Sequence, residues 1–473
     1  MSAVPSELEV VTTYGYTRSV SARVARPRDL EQVRNTLEWA RERRLSIATA
    51  GGRNSFGDVF LLDDRVVMDL SRLAGISHFD AERGRLTAAA GTRIPDILAR
   101  IMPAGWFLCG LSGSLWNTVG GNLGSNIHGK DSWRDGNFIE NVEAFRLLCA
   151  DGEERVVDRS SDPELFAAVP GGLGLLGVVT EVTLRLRKIP SIAVECRSTA
   201  VPHFEAMFEA FAALDPRTTD FAYAWVDGFA SGERTGRGVF ETARFARDGA
   251  AAPVAELLSG LAPRRRVALL RTESFWSLYR LGWDVLVALR SEKLFHRAMN
   301  RLKLASAGSA SAGAAIAFPE FQYPVVKRFS HWRDKFRPHG FHEIQSLYPM
   351  EAAQPAFRAL LAICRRFDVV PEICSLRRHR DDPTLLSFRG DGLSMTVNHP
   401  LKHFPVDRLR AFTEQLLDAV ADHGGRLYLA KFPYLSPERF RRMFPEHERF
   451  RAIKARVDPE RIFWSDAAER LLA

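Results

Sequence analysis

The chain has 473 residues, of which 46% are hydrophobic, and this length and composition exclude a disordered chain and allow two or three domains. Its 65 basic and 57 acidic residues give a net charge of +8, which favours an anionic partner, although a solvated basic surface explains the excess equally well. No run approaches the ~18 uncharged apolar residues that a membrane-spanning helix needs.

The cysteines and the N-terminal residues indicate the cellular compartment of the protein. The cysteines are odd in number, widely spaced and without a metal-ligand pattern, so we expect a reducing compartment and no metal site. Residues 1–7 lack the basic and apolar segments of a signal peptide. We therefore expect a cytoplasmic protein, with a peripheral position at the inner face of a membrane as the alternative. The cysteines are Cys109, Cys149, Cys196, Cys364 and Cys374.

The first predicted elements form a small β-α-β unit. Asp29 followed by Gln32 is a capping box, and apolar residues then recur at helical spacing as far as residue 40. Strand-like runs follow at 45–49 and 65–70, on either side of a glycine-rich loop.

Predicted helices and strands continue to alternate up to about residue 196. A turn at 82–84 joins two strand candidates, and a short helix with one apolar face covers 94–101. Strands are predicted again at 143–149 and at 177–186, where alternate residues are apolar. Alternating helices and strands with glycine loops between them predict an α+β domain.

From about Cys196 onward the helical patterns become longer and aromatic residues become more frequent. This change predicts that a second domain begins there. Within it, region 263–318 holds the basic triplet 264–266, the aromatic-rich run 275–283 and a run of small residues at 305–313. The small residues predict a mobile loop. Interleaved basic and aromatic residues fit a membrane contact or a lid, and helices packed on the core before a flexible linker are the alternative.

Three glycine loops, at 50–58, 120–130 and 171–179, each lie beside a strand-like run. Glycines let consecutive N–H groups turn toward one anion and remove the Cβ atoms that would hold a pyrophosphate away. None of the loops has the order of a Walker loop or a Rossmann fingerprint, and one such loop alone is typical of a plain turn. Three together favour a large phosphate-bearing ligand.

The motifs at 14–18, 52–58, 118–130, 424–431 and 457–466 together resemble the vanillyl-alcohol-oxidase superfamily, whose FAD-binding domain is called the PCMH type. Within it they are most similar to the decaprenylphosphoryl-β-D-ribose 2′-oxidase family, with the weakest similarity from about 196 to 340. The resemblance implies an α+β fold in two parts. An FAD-binding domain would comprise 1–196 and, on the return of the chain, 426–473. A substrate-binding domain with an antiparallel sheet and helices would comprise 197–425, including the mobile loop near 263–318.

The same resemblance implies a set of FAD contacts in the glycine loops and near the C-terminus. Many members attach the flavin through a histidine in the first loop, where this chain has Asn54, so we expect noncovalent FAD. The implied contacts are Gly52, Arg53, Asn54, Ser55, Phe56, Gly57, Gly113, Ser114, Gly120, Gly121, Gly124, Ser125, Asn126, His128, Gly129, Gly177, Val178, Val179 and Tyr428.

Lys431 is the implied catalytic residue, acting either as the base or as a charge that stabilises reduced flavin, and His128 is the second candidate. Lys130 is expected to stabilise its loop or to contact phosphate. At position 396 the family has a pocket cysteine and this chain has threonine, and a pocket lysine expected near 376–378 has no clear counterpart. The implied substrate contacts are Gln345, Thr396, Asn398, Tyr428 and Lys431.

These implications predict an FAD-dependent oxidoreductase that converts a secondary alcohol of a sugar, or of a lipid-linked (polyprenyl-phosphate) sugar, to a keto sugar by hydride transfer to flavin N5. A separate short-chain reductase would complete an epimerisation. The alternatives are an alditol or aldonolactone oxidase that acts on a small free sugar, and, from another class, a nonenzymatic basic surface-binding protein. No segment resembles a nucleic-acid-binding module, so we expect no nucleic-acid partner.

Overall fold

The computed structural model describes residues 7–247, 281–282, 285, 291–307, 315–323, 332–369, 371–402 and 404–473. The strands among them are β1 (Glu9–Thr12), β2 (Ser19–Ala25), β3 (Ile47–Ala50), β4 (Val66–Asp69), β5 (Ile76–Asp80), β6 (Arg85–Ala89), β7 (Trp106–Phe107), β8 (Val142–Leu148), β9 (Glu154–Asp158), β10 (Val178–Arg185), β11 (Arg187–Lys188), β12 (Ala193–Val201), β13 (Phe221–Val226), β14 (Gly238–Phe245), β15 (Ala315–Ala317), β16 (Phe341–Pro349), β17 (Ile373–His379), β18 (Gly392–Pro400) and β19 (Arg426–Leu427).

Helices connect and cover these strands. The α-helices are α1 (Leu30–Glu42), α2 (Ile94–Ile101), α3 (Val119–Gly124), α4 (Ser132–Asp135), α5 (Pro163–Ala168), α6 (Phe204–Ala212), α7 (Glu292–Ser306), α8 (Phe318–Gln322), α9 (Met350–Arg366), α10 (Val406–Asp422), α11 (Pro437–Met443), α12 (His447–Val457) and α13 (Asp466–Leu472). The α+β class predicted from the sequence is confirmed.

The N-terminal sheet has the order β1-β2-β4-β3, with β2 and β3 both parallel to β4. Helix α1 begins where the capping box predicted, because Asp29 Oδ1 accepts a hydrogen bond from Gln32 N at 2.8 Å. Its buried face, with Val33 and Leu37, packs against this sheet. Strand β2, which the sequence patterns did not predict, completes the β-α-β unit.

A second, antiparallel sheet follows with the order β5-β6-β10-β8-β9. The predicted turn at 82–84 joins β5 to β6, and Gly84 takes the positive φ of +67° there. A Cβ on Gly84 would lie 2.2 Å from the Trp106 ring, so the turn needs glycine for space as well as for conformation. The loops that leave these two sheets face a common cavity.

The largest sheet has eight strands in the order β15-β12-β14-β13-β17-β18-β16-β19 and begins with β12, close to the predicted change of domain. Side chains alternate across a strand, so each strand serves both faces of the sheet. On β16, Tyr348 packs against Phe357 of α9, with ring centroids 5.6 Å apart. Gln345, on the opposite face, contacts His128 of the second glycine loop at 2.8 Å. Helices therefore cover one face, and the other faces the glycine loops.

The C-terminal segment returns to the N-terminal sheet. Strand β19 first pairs with β16 of the large sheet. Farther along, Ile47 N of β3 donates to Ile462 O at 2.6 Å, and Trp464 N donates to Ile47 O at 2.9 Å. Residues 462–464 thus lie along β3 as an added strand. The domain boundaries at 196 and 426 remain predictions.

Among the described residues no helix is both long and apolar enough to cross a membrane. The five cysteines are all free. The predicted mobile loop at 263–318 contains helix α7, whereas the basic triplet 264–266 and most of the aromatic-rich run 275–283 lie outside the described residues.

Candidate active site

A cavity of about 390 Å³ lies between the three glycine loops and the large sheet. Predicted site residues supply much of its wall, together with Glu343 and Arg377 of the large sheet. The predicted residues that line it are Gly52, Arg53, Asn54, Ser55, Phe56, Gly113, Ser114, Gly120, Gly121, Gly124, Ser125, His128, Gly177, Val179, Tyr428 and Lys431.

The glycines in this wall have two different roles. A Cβ on Gly52 would lie 2.1 Å from the Trp116 carbonyl oxygen, and one on Gly120 would lie 2.8 Å from the Ala90 Cβ, so these glycines let the loops pack together. At Gly113 a Cβ would have no neighbour within 4 Å, and at Gly124 the nearest atom would be 3.9 Å away. Side chains at these two positions would enter the cavity.

Four predicted cofactor contacts do not line the cavity. Gly57 N donates to the Ala430 carbonyl at 3.1 Å, and a Cβ on Gly129 would lie 2.3 Å from Asp131 Oδ1, so both glycines serve loop packing. Asn126 Nδ2 donates to Ser387 Oγ at 2.8 Å and to Asp382 Oδ2 at 3.0 Å. Val178 points to the other side of β10 from Val179, because adjacent side chains on a strand alternate.

The turn that carries Lys431 is held against both the large sheet and the glycine loops. Tyr428 N donates to the Gln345 carbonyl at 2.9 Å, and Lys431 N donates to the Tyr428 carbonyl at 3.0 Å. The Tyr428 hydroxyl donates to the Ser125 carbonyl at 3.1 Å. These bonds fix the turn from which the Lys431 side chain reaches the cavity wall.

Lys431, Glu343 and Arg377 form a charged group on the wall, separate from Arg53 of the first glycine loop. Lys431 Nζ makes an ion pair with Glu343 Oε1. Burial lowers the pKa of Lys431, with the positive Arg377 acting in the same direction and the Glu343 carboxylate opposing it. Burial also lowers the pKa of Arg377, whose Nε has no hydrogen-bond partner among the described residues. The site therefore combines an amine that releases its proton more readily than usual with a positive charge directed at the cavity.

His128 is a neutral imidazole at the centre of an aromatic cluster. Burial and the neighbouring His379 lower its pKa well below the usual value. With Gln345 Nε2 donating to His128 Nε2 at 2.8 Å, the ring proton resides on Nδ1, which has no partner within the described residues. Its ring lies 4.9 Å from Tyr428 and 5.1 Å from Phe388. His128 can thus donate a hydrogen bond to a bound ligand without carrying charge.

The remaining predicted substrate contacts lie behind the wall. Gln345 pairs with Thr396 across β16 and β18, and Glu343 pairs with Asn398. Asn398 Nδ2 donates to Glu343 Oε2 at 3.4 Å. Asn398 therefore contacts a residue of the cavity wall but not the cavity itself. None of Gln345, Thr396 and Asn398 lines the cavity itself.

Lys130 points away from the cavity and toward the large sheet. Its Nζ donates to the Phe321 carbonyl at 2.9 Å and lies 4.0 Å from the Phe321 ring centre and 4.4 Å from that of Tyr223. Burial lowers its pKa to about 7. These contacts join the second glycine loop to α8 and β13, which is the loop-stabilising role that the sequence suggested.

Sequence patterns did not single out Glu343 or Arg377. Glu343 lies in β16, where eight consecutive residues are buried, but Glu343 shares this strand with other polar residues, so its charge gave no clear signal in the sequence. Arg377 lies in the segment where a pocket lysine was expected without a clear counterpart, and the structure places its side chain on the cavity wall.

One group in the described residues has the composition of a metal site. Ligand atoms of Cys109, Asp131 and Asp135 lie within 4.8 Å of one another. Asp131 Oδ2 already accepts a hydrogen bond from Gly110 N at 2.8 Å, and Asp135 Oδ2 faces Arg187 Nε at 3.7 Å. Asp131 is thus held by a backbone donor, whereas Asp135 Oδ2 is paired with the Arg187 charge and has no hydrogen-bond donor among the described residues.

Two family models and several known proteins are similar to this chain. A family model described as an FAD binding domain matches residues 21–158, and one described as D-arabinono-1,4-lactone oxidase matches residues 334–471. Decaprenylphosphoryl-beta-D-ribose oxidase of Mycolicibacterium smegmatis is 25% identical over 480 residues, which is 99% of this chain and 98% of that protein.

Two further relatives cover different shares of the chain. An uncharacterized protein in the mprA 5′ region of Streptomyces coelicolor is 29% identical over 78% of this chain and 97% of its own length. L-gulonolactone oxidase of Bos taurus is 30% identical over 34% of this chain and 36% of its own length.

Proposed function

Because this chain belongs to the vanillyl-alcohol-oxidase superfamily of FAD-dependent oxidoreductases, with a PCMH-type FAD-binding domain, we propose that it oxidises a secondary alcohol of a sugar or lipid-linked sugar phosphate to a ketone. The observation that carries the proposal is the position of the Lys431–Glu343 ion pair, which lies on the same cavity wall as the glycine loops. A lysine with a lowered pKa, which would act as the base or as a stabilising charge, therefore borders the proposed cofactor site.

The residues of the cavity fit FAD. The open space at Gly113 and Gly124 leaves room for a ligand against the main chain. Among the described residues, Asn117 Oδ1, Asn122 Nδ2 and His128 Nδ1 are buried and lack hydrogen-bond partners, which is the expected state of groups that serve a ligand. The loop amides and Arg53 would hold the pyrophosphate, and His128, Tyr428 and Lys431 would adjoin the isoalloxazine.

Asn54 lines the cavity and supports noncovalent binding of the cofactor. Its Nδ2 donates to the Gly52 carbonyl at 3.0 Å, and its Oδ1 accepts from Ser114 Oγ at 3.3 Å, so the amide braces the loop. An amide is not a nucleophile that could attach the flavin. Acid precipitation should release the yellow cofactor into the supernatant, and colour that stays in the pellet would contradict noncovalent binding.

The chain's own residues would manage the substrate proton and charge. When bound, FAD supplies a hydride acceptor at N5. Lys431 Nζ, once it has released its own proton, would take the hydroxyl proton, and the Glu343 carboxylate would hold the resulting ammonium in place; a Lys431 that stays charged would instead stabilise the reduced flavin. Arg377 would hold an anionic group of the substrate, and the His128 Nδ1–H would orient the ligand through one hydrogen bond.

One relative and one family model bear on the choice of substrate. The Mycolicibacterium protein, whose name specifies a polyprenyl-phosphate sugar, aligns over nearly the whole chain, and the positive Arg377 fits a phosphorylated substrate. The match of residues 334–471 to the lactone-oxidase model instead favours a small free sugar, as an alditol or aldonolactone oxidase would use. We favour the sugar phosphate, whose keto product a short-chain reductase would then reduce to complete an epimerisation.

Anaerobic mixing of the purified flavoprotein with candidate substrates tests the proposal. Polyprenyl-phosphate pentoses should bleach the flavin absorbance, whereas free alditols and aldonolactones should do so slowly or not at all. Rapid bleaching by free polyols or lactones, without bleaching by sugar phosphates, would establish the alternative substrate class. Flavin that no sugar reduces would refute the proposal as a whole.

A further inference from the structure

Helix α7 has its polar side toward the protein and its apolar side toward solvent. Toward the protein, Asn300 Nδ2 donates to Asp227 Oδ1 at 2.8 Å, and Lys303 Nζ lies 4.7 Å from the centre of the Trp225 ring. On the other side, Leu294 is 67% exposed, Met299 47% and Leu302 63%. This is the reverse of a surface helix that packs an apolar stripe on the core.

The exposed apolar residues form one continuous stripe. At about 100° per residue, Leu294, Ala298, Met299, Leu302 and Ala305 fall within a sector of about 140°. Ala298 and Ala305 are also exposed. Single exposed apolar residues are common, but a contiguous stripe along about three turns marks an interaction surface.

Positive charge follows one margin of the stripe. Arg297 and Arg301 are one turn apart and exposed, and neither has an ion-pair partner in the part of the chain that the structure describes. The Arg297 guanidinium lies over the Phe229 ring at 5.6 Å, which keeps it beside the apolar stripe. An apolar face with arginines at its margin complements the boundary between acyl chains and anionic headgroups of a bilayer.

The helix also borders an opening of the cavity. His296 Nε2 lies 3.5 Å from Glu372 Oε1, and the next residue, Ile373, lines the cavity while being 38% exposed. Trp225, beneath Lys303, is paired with Ser375 on β17, two residues from the cavity-lining Arg377. A surface on which α7 rests would therefore lie next to an entrance to the site.

We propose that α7 is an interfacial helix that docks this enzyme on an anionic membrane surface, with Leu294, Met299 and Leu302 inserted among the lipids and Arg297 and Arg301 at the headgroups. The proposal extends the proposed function, because a lipid-linked substrate could keep its chain in the bilayer while its sugar enters beside Ile373. Docking itself requires no substrate.

Vesicle co-sedimentation of the full-length flavoprotein tests the docking. The protein should bind phosphatidylcholine vesicles that contain phosphatidylglycerol and bind pure phosphatidylcholine vesicles more weakly. The triple variant Leu294→Ser, Met299→Ser, Leu302→Ser should lower the partition coefficient by about tenfold or more. Arg297→Gln with Arg301→Gln should abolish the preference for phosphatidylglycerol.

A matched variant controls for the loss of exposed apolar area. Val10, Val156 and Val406 are 74%, 53% and 73% exposed and lie elsewhere on the surface, so their joint replacement by serine should leave vesicle binding unchanged. Flavin content and thermal melting establish that each variant is folded.

The proposal is overturned if the wild type does not bind phosphatidylglycerol vesicles, or if the α7 triple variant binds them as well as the wild type. Self-association without vesicle binding, lost in the same variant on sedimentation velocity, would overturn it and assign the stripe to a second copy of the chain. Flavin bleaching by a water-soluble sugar phosphate requires no vesicle. Failure of docking and failure of the proposed function are therefore separate results.

Discussion

Three charged side chains at the cavity define its chemistry at the scale of single residues. Lys431 and Glu343 neutralise each other, and Arg377 adds a positive charge on the same wall. Because burial and Arg377 both lower the pKa of Lys431 while Glu343 raises it, the protonation of this amine depends on all three residues. Substitutions at Lys431 and Glu343 therefore test different parts of the mechanism.

Lys431→Met should leave FAD bound and slow its anaerobic reduction by about 10²–10⁴-fold, because the glycine loops stay intact and the proton acceptor is lost. The measurement is stopped-flow flavin absorbance under saturating substrate. Methionine leaves the Glu343 carboxylate buried without its ion-pair partner, so the double variant with Glu343→Gln controls for lost stability. Reduction at the wild-type rate in a folded Lys431→Met protein would remove Lys431 from the mechanism.

Glu343→Gln should shift the pH dependence of flavin reduction to lower pH, because the carboxylate is the group that raises the Lys431 pKa. If Lys431 is the base, the rate of flavin reduction rises as the pH passes through the Lys431 pKa. The rising limb of the pH–rate profile then shifts to lower pH. If Lys431 works as a cation that stabilises reduced flavin, the rate of flavin reduction falls as the pH rises through the Lys431 pKa. The falling limb of the pH–rate profile then shifts to lower pH. An unchanged midpoint would show that the pair does not control the titration.

At the scale of secondary-structure elements, the three glycine loops make a site only because strands from two sheets and the Tyr428–Lys431 turn hold them together. Tyr428 links this turn to β16 through its backbone and to the second loop through its hydroxyl. Gly52 and Gly120 are needed for loop packing, whereas Gly113 faces open space. Substitution at Gly113 therefore tests the cofactor site without disturbing the fold.

The series Gly113→Ala, Gly113→Val and Gly113→Leu should weaken FAD binding progressively, by about tenfold or more at valine, because each larger side chain extends farther into the cavity. Quenching of FAD fluorescence measures the affinity. Melting of the apoprotein should be unchanged across the series. Equal FAD affinity in all three variants would place the cofactor away from this loop.

For the whole molecule, buried ionisable groups predict how stability depends on pH. Burial lowers the pKa of His379 to about 3 and of His399 to about 4, and lowers those of His128 and His342 well below the usual value. These histidines gain protons on unfolding below pH 6.5, which destabilises the fold. Burial raises the pKa of Asp131 to about 6 and of Asp135 to about 7, so these carboxyls lose protons on unfolding and oppose the effect.

Near pH 5 the four histidines that gain protons on unfolding outnumber the two carboxyls that lose them, so unfolding takes up protons on balance. The free energy of unfolding should therefore fall as the pH drops from 6 to 5, by about 1.4 kcal/mol per pH unit for each proton taken up on balance. Urea denaturation at both pH values measures this slope. A flat profile would mean that some of these histidines are protonated in the folded protein.

Much of the architecture follows from local patterns in the chain. Asp29 and Gln32 predicted where α1 begins, the turn at 82–84 predicted the β5–β6 hairpin, and the glycine loops indicated a phosphate-bearing ligand before any contact was known. These features depend on capping, turn chemistry and periodicity, which involve residues close together along the chain.

Which residues come together in the site could be determined only from the three-dimensional fold. Glu343 and Lys431 are 88 residues apart, and His128 meets Gln345 across 217 residues, so no local pattern could pair them. Strand alternation decided that Glu343 reaches the cavity, whereas Val178 points away from it. The outward apolar face of α7 likewise became visible only in three dimensions, because periodicity reveals that a helix is amphipathic but not which side meets the protein.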